Sequence, residues 1–328
     1  MMASRVHSAI SPRTRLHVVT GKGGTGKTTV AVSLALALAS SGRKVLVVEV
    51  EGRQALAQLF DVTALPYEER RLASVPGEGN LRGELWGLAV DAEQAMLEYL
   101  DMFYGLRRSA RGLNRMGAVD FVTTLAPGLR DVLLTGKVKE AVTRTVEKGR
   151  HAYDAVVLDA PPTGRITKFL NATTEVANLT KFGPINRQSE GVMRLLRGKQ
   201  TAVHIVTLLE EMPVQETLDA ATDLRAAGFP LGVVFVNRAR PVLFEDRRVD
   251  LESLRAGLRE VRLPVALAEP LSEEVAEYAD RLDIQSLNET RLDELALPRI
   301  VLPDLTPPVD RGELNQLAEA IVEGGGLR

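Results

Sequence analysis

A glycine-rich segment near the N-terminus has the residue types of a phosphate-binding loop. Residues 21–28 read Gly-Lys-Gly-Gly-Thr-Gly-Lys-Thr and fit the pattern G-x-x-x-x-G-K-[ST]. Glycine leaves room for backbone N–H groups to donate to phosphate oxygens, and the N-terminus of a following helix adds further donors and a positive dipole. The segment therefore predicts a site for a nucleoside triphosphate.

The polar side chains of this loop have separate predicted tasks. Lys27 is placed to reach the β- and γ-phosphates, and the hydroxyl of Thr28 to ligate Mg²⁺. A further lysine, Lys22, follows the first glycine and is either a solvated loop residue or a second group that acts on the phosphates. The expected ATP-binding residues of the loop are Gly21, Lys22, Gly23, Gly24, Thr25, Gly26, Lys27, Thr28 and Thr29.

A carboxylate ends an apolar run later in the chain, at Asp159. Mg²⁺ beside a phosphate loop needs such a group, often bound through a water molecule. We expect Asp159 to fill this role, although an aspartate at the end of a strand can also cap a turn. The residues that follow, 160–165, include two prolines and a glycine, which is typical of a shaped loop that senses the γ-phosphate and moves on hydrolysis.

Two more acidic residues, Glu49 and Glu51, stand at the end of another apolar run. Strand alternation places both on the same side of the chain, with Glu51 nearer the phosphate loop. A carboxylate in that position can orient the attacking water. The alternative is an exposed acidic turn.

Short runs of β-branched residues alternate with helical stretches along the chain. This alternation predicts an α/β fold, a doubly wound and mostly parallel sheet of about seven or eight strands with helices on both faces. Ligands of such sheets bind at the carboxyl ends of the strands, where the loop, Glu51, Asp159 and Asn237 all fall. The expected strands cover residues 16–20, 45–50, 85–90, 155–159, 202–209 and 232–237.

The chain has no evident linker, so we expect one domain over residues 16–328 after a disordered lead-in over residues 1–15. Mixed polar and apolar stretches at 92–120 and 172–202 are expected to form a small helical elaboration. From residue 297 several prolines indicate an extended segment before a last helix.

Composition excludes several other classes of function. The 328 residues carry a formal net charge of −2, which gives no electrostatic basis for nucleic-acid binding. The chain has no cysteine, so disulfides, thiolate metal sites and thiol catalysis are excluded. No apolar run approaches the ~18 residues of a membrane span, and the first 15 residues lack the apolar core of a signal peptide. These features favour a cytoplasmic protein with no integral membrane segment.

Together these segments resemble the ArsA-type ATPases, which include the arsenite-pump ATPase and the eukaryotic ATPase that targets tail-anchored membrane proteins. The resemblance covers nearly the whole chain. The family's phosphate loop with its signature lysine is similar to residues 21–29, and its second switch, D-T-A-P-T-G-H, is similar to residues 159–165. Its E-x-x-P-x-x-E-T stretch matches residues 210–217. The last two segments favour this family over the MinD/ParA branch.

Other segments resemble the family less closely. Residues 127–131 echo a P-G-I-D-E element, and Asn237 stands where the family's asparagine binds adenine. The first switch, S-T-D-P-A-H-S-L, matches residues 49–56 only in register, with Glu51 in place of the aspartate that positions water. Arg165 replaces the histidine of the second switch. The longer side chain of Glu51 is expected to shift the water and slow hydrolysis.

The resemblance implies a P-loop NTPase of the signature-lysine branch that binds ATP and ADP with Mg²⁺ and hydrolyses ATP. Two subunits would face each other across two ATP molecules, and Lys22 of each would reach the phosphates held by the other. The implied catalytic residues are Lys22, Lys27, Glu51 and Asp159, and Thr28 and Asp159 would hold the metal. The partner would be a second copy or a paralogous ATPase.

The expected function is therefore a dimeric switch that couples its nucleotide state to an unidentified protein client. Without cysteine, neither an arsenite site nor a zinc clamp of the family's type can form. Two alternatives stay open. One is a weakly active nucleotide-binding subunit of a heterodimer with a related ATPase, which Glu51 and Arg165 favour. The other is a MinD/ParA-like positioning ATPase on a membrane or DNA.

Overall fold

The computed structural model describes residues 9–77, 79–104, 127–179, 184–243, 250–305, 309–325 and 327. Within these ranges the chain forms a single eight-stranded sheet in the order β3-β4-β2-β5-β1-β6-β7-β8. The strands are β1 (Leu16–Gly21), β2 (Lys44–Glu49), β3 (Arg70–Pro76), β4 (Arg82–Ala89), β5 (Ala155–Asp159), β6 (Thr201–Thr207), β7 (Leu231–Ala239) and β8 (Arg299–Pro303).

Neighbouring strands of this sheet are parallel, apart from the antiparallel pair β3 and β4. Parallel strands must be joined by crossovers, and helices supply them. The described helices are α1 (Lys27–Ala39), α2 (Ala55–Leu59), α3 (Ala92–Tyr104), α4 (Pro127–Thr143), α5 (Thr163–Leu179), α6 (Pro184–Leu196), α7 (Glu211–Ala226), α8 (Leu251–Glu260), α9 (Val265–Arg291) and α10 (Arg311–Gly325). The predicted α/β fold with a mostly parallel sheet is confirmed.

The sheet has a hydrophobic core on each face. Successive residues of a strand point to opposite faces, so Val18 of β1 packs in one core and Val19 in the other. Residues from α3 to α7 fill the first core, and α1, α2 and α10 cover the second. Because both faces are covered, the central strands are buried along their length, which explains their continuous apolar sequence.

Two strands, β3 and β8, were not among those expected from the sequence, and both lie at sheet edges. β3 contains Arg70 and Arg71 and ends at Pro76, whereas β8 follows Pro298 and ends at Pro303. An edge strand tolerates charged side chains and proline because one of its sides makes no ladder hydrogen bonds. Neither segment therefore carries the apolar signature of a central strand, and the prolines after residue 297 predict only an extended segment.

The predicted helical elaboration coincides with only part of the observed helices. α3 begins the segment 92–120, and residues 105–120 lie outside the described residues. The segment 172–202 contains the end of α5 and the whole of α6. The sequence patterns do not predict the helical pair α8 and α9, of which α9 continues through Pro270. None of the helices in the described ranges combines the length and apolar character needed to cross a bilayer.

Residues 9–15 of the predicted lead-in are in contact with the domain. The side chain of Ile10 is 1% exposed, and its N–H donates to the carbonyl of Gly325 at 3.3 Å. The N–H of Arg15 donates to the carbonyl of Gln200 at 2.8 Å. These contacts attach this stretch both to the last helix and to the turn before β6.

Candidate nucleotide-binding site

The sheet topology places the site residues that the sequence predicts at one end of the sheet, where the carboxyl ends of the parallel strands lie. β1 lies between β5 and β6, and β2 pairs with β5 on the far side. In this register Asp159 is the neighbour of Val19 on β1 and of Glu49 on β2. The carboxyl ends of three parallel strands therefore meet where the loop at 21–28 leaves β1.

The loop adopts the backbone conformation that its glycines permit. Gly24 and Gly26 have φ of 87° and 86°, a region that other residues rarely adopt. A Cβ atom at Gly21 would lie 2.3 Å from the carbonyl oxygen of Val206 on β6. α1 begins directly after Gly26 without a side-chain cap at its N-terminus, so its first amides are available to an anion.

Lys27, Thr28 and Asp159 form the centre of the site. The hydroxyl of Thr28 donates to Oδ2 of Asp159 at 2.6 Å, and the side chain of Lys27 is buried at the start of α1. Burial lowers the pKa of Lys27, and the negative charges of Asp159 and Glu51 oppose this shift. Burial also raises the pKa of Asp159 to about 6, against the stabilising hydrogen bond from Thr28 and the charge of Lys27.

The same centre has the ligands that a magnesium ion requires. Oδ1 of Asp159 is buried and has no hydrogen-bond partner among the described residues, whereas Oδ2 of the same carboxylate accepts the hydroxyl of Thr28. Magnesium in nucleotide sites is held by one or two protein oxygens, with phosphates and water completing the shell. A site of this kind needs no larger cluster, and the described part of the chain contains none of three or more histidine or acidic side chains suited to a metal. The residues present therefore fit Mg²⁺.

Glu49 and Glu51 have different environments, although strand alternation predicts that both point to the same side of the chain. Glu49 is 2% exposed, and its two carboxylate oxygens accept the N–H groups of Ala55 and Leu56 at 3.3 and 3.2 Å. It therefore holds the start of α2. Glu51 is partly exposed and forms an ion pair with Arg53 at 3.5 Å. Of the two, only Glu51 is placed to meet a water molecule at the surface of the site.

Lys22 forms an ion pair within its own chain. Its Nζ lies 2.9 Å from Oε1 of Glu216 on α7, and Oε2 of the same carboxylate accepts the hydroxyl of Thr163 at 3.1 Å. Glu216 is not among the site residues that the sequence predicts. The signal that pointed to it was its place in the E-x-x-P-x-x-E-T stretch at residues 210–217.

Asn237, at the end of β7, contacts the phosphate loop. Its Nδ2 donates to the carbonyl of Thr25 at 2.8 Å, and the side chain is 5% exposed. A Cβ atom at Gly26 would lie 2.4 Å from this Nδ2. The amide of Asn237 therefore supports the loop from the side; the adenine contact that the family resemblance implies for it stays a prediction.

The segment after Asp159 is attached to two other elements. The hydroxyl of Thr20 on β1 donates to the carbonyl of Pro161 at 2.7 Å. Arg165 pairs with Asp131 on α4, with Nη2 2.7 Å from Oδ1. Asp131 belongs to the P-G-L-R-D stretch, so two of the segments singled out in the sequence are in direct contact.

Comparison with known proteins identifies the family. Residues 14–199 match the family of anion-transporting ATPases. ATPase BagA of Mycobacterium tuberculosis is 50% identical over 321 residues, covering 95% of this chain and 93% of that protein. ATPase ARSA1 of Chlamydomonas reinhardtii is 26% identical over 267 residues, covering 66% of this chain and 34% of that protein.

A candidate arsenical pump-driving ATPase of Aquifex aeolicus is 22% identical over 252 residues, which cover 67% of this chain and 79% of that protein. The family match extends over more than half of the chain and includes the loop, Glu51 and Asp159. The match agrees with the eight-stranded sheet and with the phosphate-binding residues at the carboxyl ends of its central strands. The chain therefore belongs to the ArsA-type family of anion-transporting ATPases and is an ATP-hydrolysing enzyme.

Proposed function

We propose that this ATPase depends on Mg²⁺ and works as a dimeric switch that couples its nucleotide state to a protein client. The observation that carries the proposal is that the two lysines of the loop have different surroundings. Lys27 is buried and interacts with the charge of Asp159, whereas Lys22 is 31% exposed and pairs with Glu216. Lys27 serves its own site, whereas Lys22 lies at the surface in an ion pair that the phosphates of a second subunit can displace.

Each residue of the centre has a role in this proposal. Lys27 and the amides of the loop bind the phosphates and neutralise their charge. Thr28 and Asp159 would hold Mg²⁺, Asp159 through a water molecule. The metal, when bound, supplies positive charge to the phosphate oxygens on which negative charge develops. Glu51 accepts a hydrogen bond from the attacking water and orients it in line with the γ-phosphate.

Lys22 of the partner subunit completes the site by approaching the same phosphates. A cation supplied in trans stabilises the transition state of phosphoryl transfer as an arginine finger does. It also makes hydrolysis depend on the dimer, which is what a switch requires. The partner is a second copy of this chain or a paralogous ATPase.

Hydrolysis is transmitted by the segment at 159–165. Its contacts reach β1 through Thr20, α7 through Thr163 and α4 through Arg165. A shift of this segment on loss of the γ-phosphate therefore changes the positions of helices on one face of the sheet. We place the client on that helical face and the protein in the cytoplasm, where ATP is available.

Phosphate release by the purified protein tests the enzymatic part of the proposal. Lys27→Ala removes the buried phosphate-binding amine, and we expect turnover to fall at least about 100-fold. Wild-type turnover equal to that of Lys27→Ala would disprove catalysis by this site.

Lys22→Ala tests the trans role of the second lysine. We expect ATP still to bind and turnover to fall by about 10³-fold, the lower end of the effect of a finger residue. Mixing Lys22→Ala with Lys27→Ala should restore part of the activity, because a mixed dimer has one intact composite site. Turnover that survives Lys22→Ala but falls with Lys27→Ala would contradict the trans role.

A second candidate function is a weakly active subunit that pairs with a related ATPase. It is favoured by Glu51, which replaces the expected aspartate and is paired with Arg53. Co-purification with a paralogue and a large gain in turnover on mixing would support this alternative. Full activity of the isolated chain as a homodimer would exclude it.

A further inference from the structure

A single carboxylate, that of Glu216, connects three segments around the candidate site. One oxygen lies 2.9 Å from Nζ of Lys22 in the phosphate loop. The other accepts the hydroxyl of Thr163, the first residue of α5, at 3.1 Å. Glu216 itself is fixed on α7. Both carboxylate oxygens are therefore engaged, one by the loop and one by the segment that follows Asp159.

We infer that Glu216 is a positioning residue that retains Lys22 within its own chain until nucleotide and a second subunit are present. The inference rests on the proposed function in one respect, the trans role of Lys22. An amine held at 2.9 Å from Glu216 is not available to phosphates bound by another subunit. The ion pair and the trans contact thus compete for the same group.

The ion pair between Lys22 and Glu216 is weak enough for phosphates to displace it. The side chains of Lys22 and Glu216 are 31% and 34% exposed, and ion pairs at such sites stabilise by a small amount because water screens them. Triphosphate oxygens carry more negative charge than one carboxylate, so they are the stronger partner for the amine. Glu216 therefore biases the position of Lys22 without fixing it.

The second contact of Glu216 links the restraint to the nucleotide. Thr163 belongs to the segment at 159–165, which starts at the proposed magnesium ligand. Movement of this segment alters the hydrogen bond that orients the carboxylate toward Lys22. The release of Lys22 is thereby favoured when the site is filled and disfavoured when it is empty, and in both states the ion pair opposes assembly of the dimer.

Lysine reactivity in the nucleotide-free protein tests the restraint directly. The measurement is the rate at which limiting acetic anhydride acetylates Lys22, relative to the exposed Lys199 in the same molecule. Glu216→Gln should raise this ratio about threefold, because the amine loses its partner and becomes more accessible. Glu211→Gln, an exposed residue in the first turn of α7, removes the same charge and should leave the ratio unchanged. An unchanged ratio in Glu216→Gln overturns the inference.

Dimer formation tests the consequence. Sedimentation velocity with Mg²⁺ and a non-hydrolysable ATP analogue gives the protein concentration at half-maximal dimer. Glu216→Gln should lower it by about five- to twentyfold, since two partly exposed pairs no longer oppose assembly. Weaker dimerisation of Glu216→Gln would overturn the inference, because Glu216 would then support the trans contact. A wild-type protein that stays monomeric would disprove the proposed dimer, and the acetylation ratio alone would then decide whether Glu216 restrains Lys22.

Discussion

Three carboxylates lie near the carboxyl ends of β2 and β5, and their different surroundings give them different roles. Glu49 accepts two backbone N–H groups, so it is a structural residue. Asp159 has one oxygen bound by Thr28 and one without a partner among the described residues. Glu51 is partly exposed beside Arg53. A buried carboxylate oxygen without a donor is costly unless a cation completes it, which supports the metal role proposed for Asp159.

Asp159→Asn separates that role from folding. We expect phosphate release to fall about 10²- to 10³-fold and the Mg²⁺ concentration for half-maximal activity to rise, because a charged ligand is lost. The free energy of unfolding should not fall, since the substitution removes a charge that burial disfavours. Urea unfolding and a Mg²⁺ titration measure the two effects. Unchanged activity would remove Asp159 from the site.

Glu51→Gln tests the orientation of water. Turnover should fall about 100-fold with little change in ATP affinity, because the amide is a poorer acceptor for the water proton and does not contact phosphate. Glu49→Gln is the matched control, for which the expected effect is a loss of stability of about 1–2 kcal/mol from weaker capping of α2. Equal effects of the two substitutions on turnover would contradict the separate roles.

At the scale of elements, the site is built by the turn from β1 into α1 and by what packs beside it. The positive φ of Gly26 sets the direction in which α1 leaves the loop, and Asn237 from β7 supports the turn by a hydrogen bond to the carbonyl of Thr25. The sequence predicted this strand–loop–helix unit because its pattern is local. It did not predict this hydrogen bond, because β7 reaches the loop only once the sheet is assembled.

Gly26→Ala should distort this turn. The added Cβ atom would lie 2.4 Å from Nδ2 of Asn237, at a φ of 86°. We expect a loss of stability of about 1–3 kcal/mol in urea unfolding together with loss of ATP binding. In Gly23→Ala the new atom meets no heavy atom within 4 Å, and we expect a loss below about 0.5 kcal/mol. Similar losses for both variants would contradict the support of the loop by Asn237.

The edge strands β3 and β8 have no clear strand signature in the sequence. β3 and β8 each have one neighbour, so they carry arginine and proline where central strands carry valine and leucine. The sequence patterns do not predict helices α8 and α9 either. No side chain of α8 is buried among its described residues, and α8 contributes no residue to the two cores that cover the sheet.

At the scale of the whole molecule, the sheet encloses two histidines between β1 and β6. Nδ1 of His204 accepts the N–H of Val233 at 3.1 Å, so its proton is on Nε2 and is donated to Nδ1 of His17 at 3.0 Å. Burial lowers the pKa of His204 to about 4. Burial, and then the charges of His204 and Arg43, lower the pKa of His17 well below 6.5. Both rings are neutral in the folded protein.

The pair predicts sensitivity to acid. Between pH 6.5 and about 4 the unfolded chain binds protons that the folded protein does not. The contribution of the histidine pair to the free energy of unfolding should therefore be fully present above pH 6.5. It should decrease as the pH falls, by about 3 kcal/mol for His204 alone. Urea unfolding across this range should give a shallower decrease for His17→Gln than for wild type.

His151 provides the matched control, because it is exposed and lies outside the sheet core. His151→Gln should follow the wild-type decrease across the same pH range. If the free energy of unfolding of His17→Gln depends on pH as steeply as that of the wild type, then carboxylates, and not this pair, cause the loss of stability at low pH.

The sequence by itself determined the fold class, the ATPase family and the residue types of the phosphate site, because these depend on patterns within a single strand, loop or helix. Only the tertiary structure decided which side chains meet across the chain. It paired Lys22 with Glu216, set Asn237 against Thr25, assigned Glu49 to α2 and stacked His17 on His204. Such contacts depend on strand order and register, which place distant segments side by side and have no local signature.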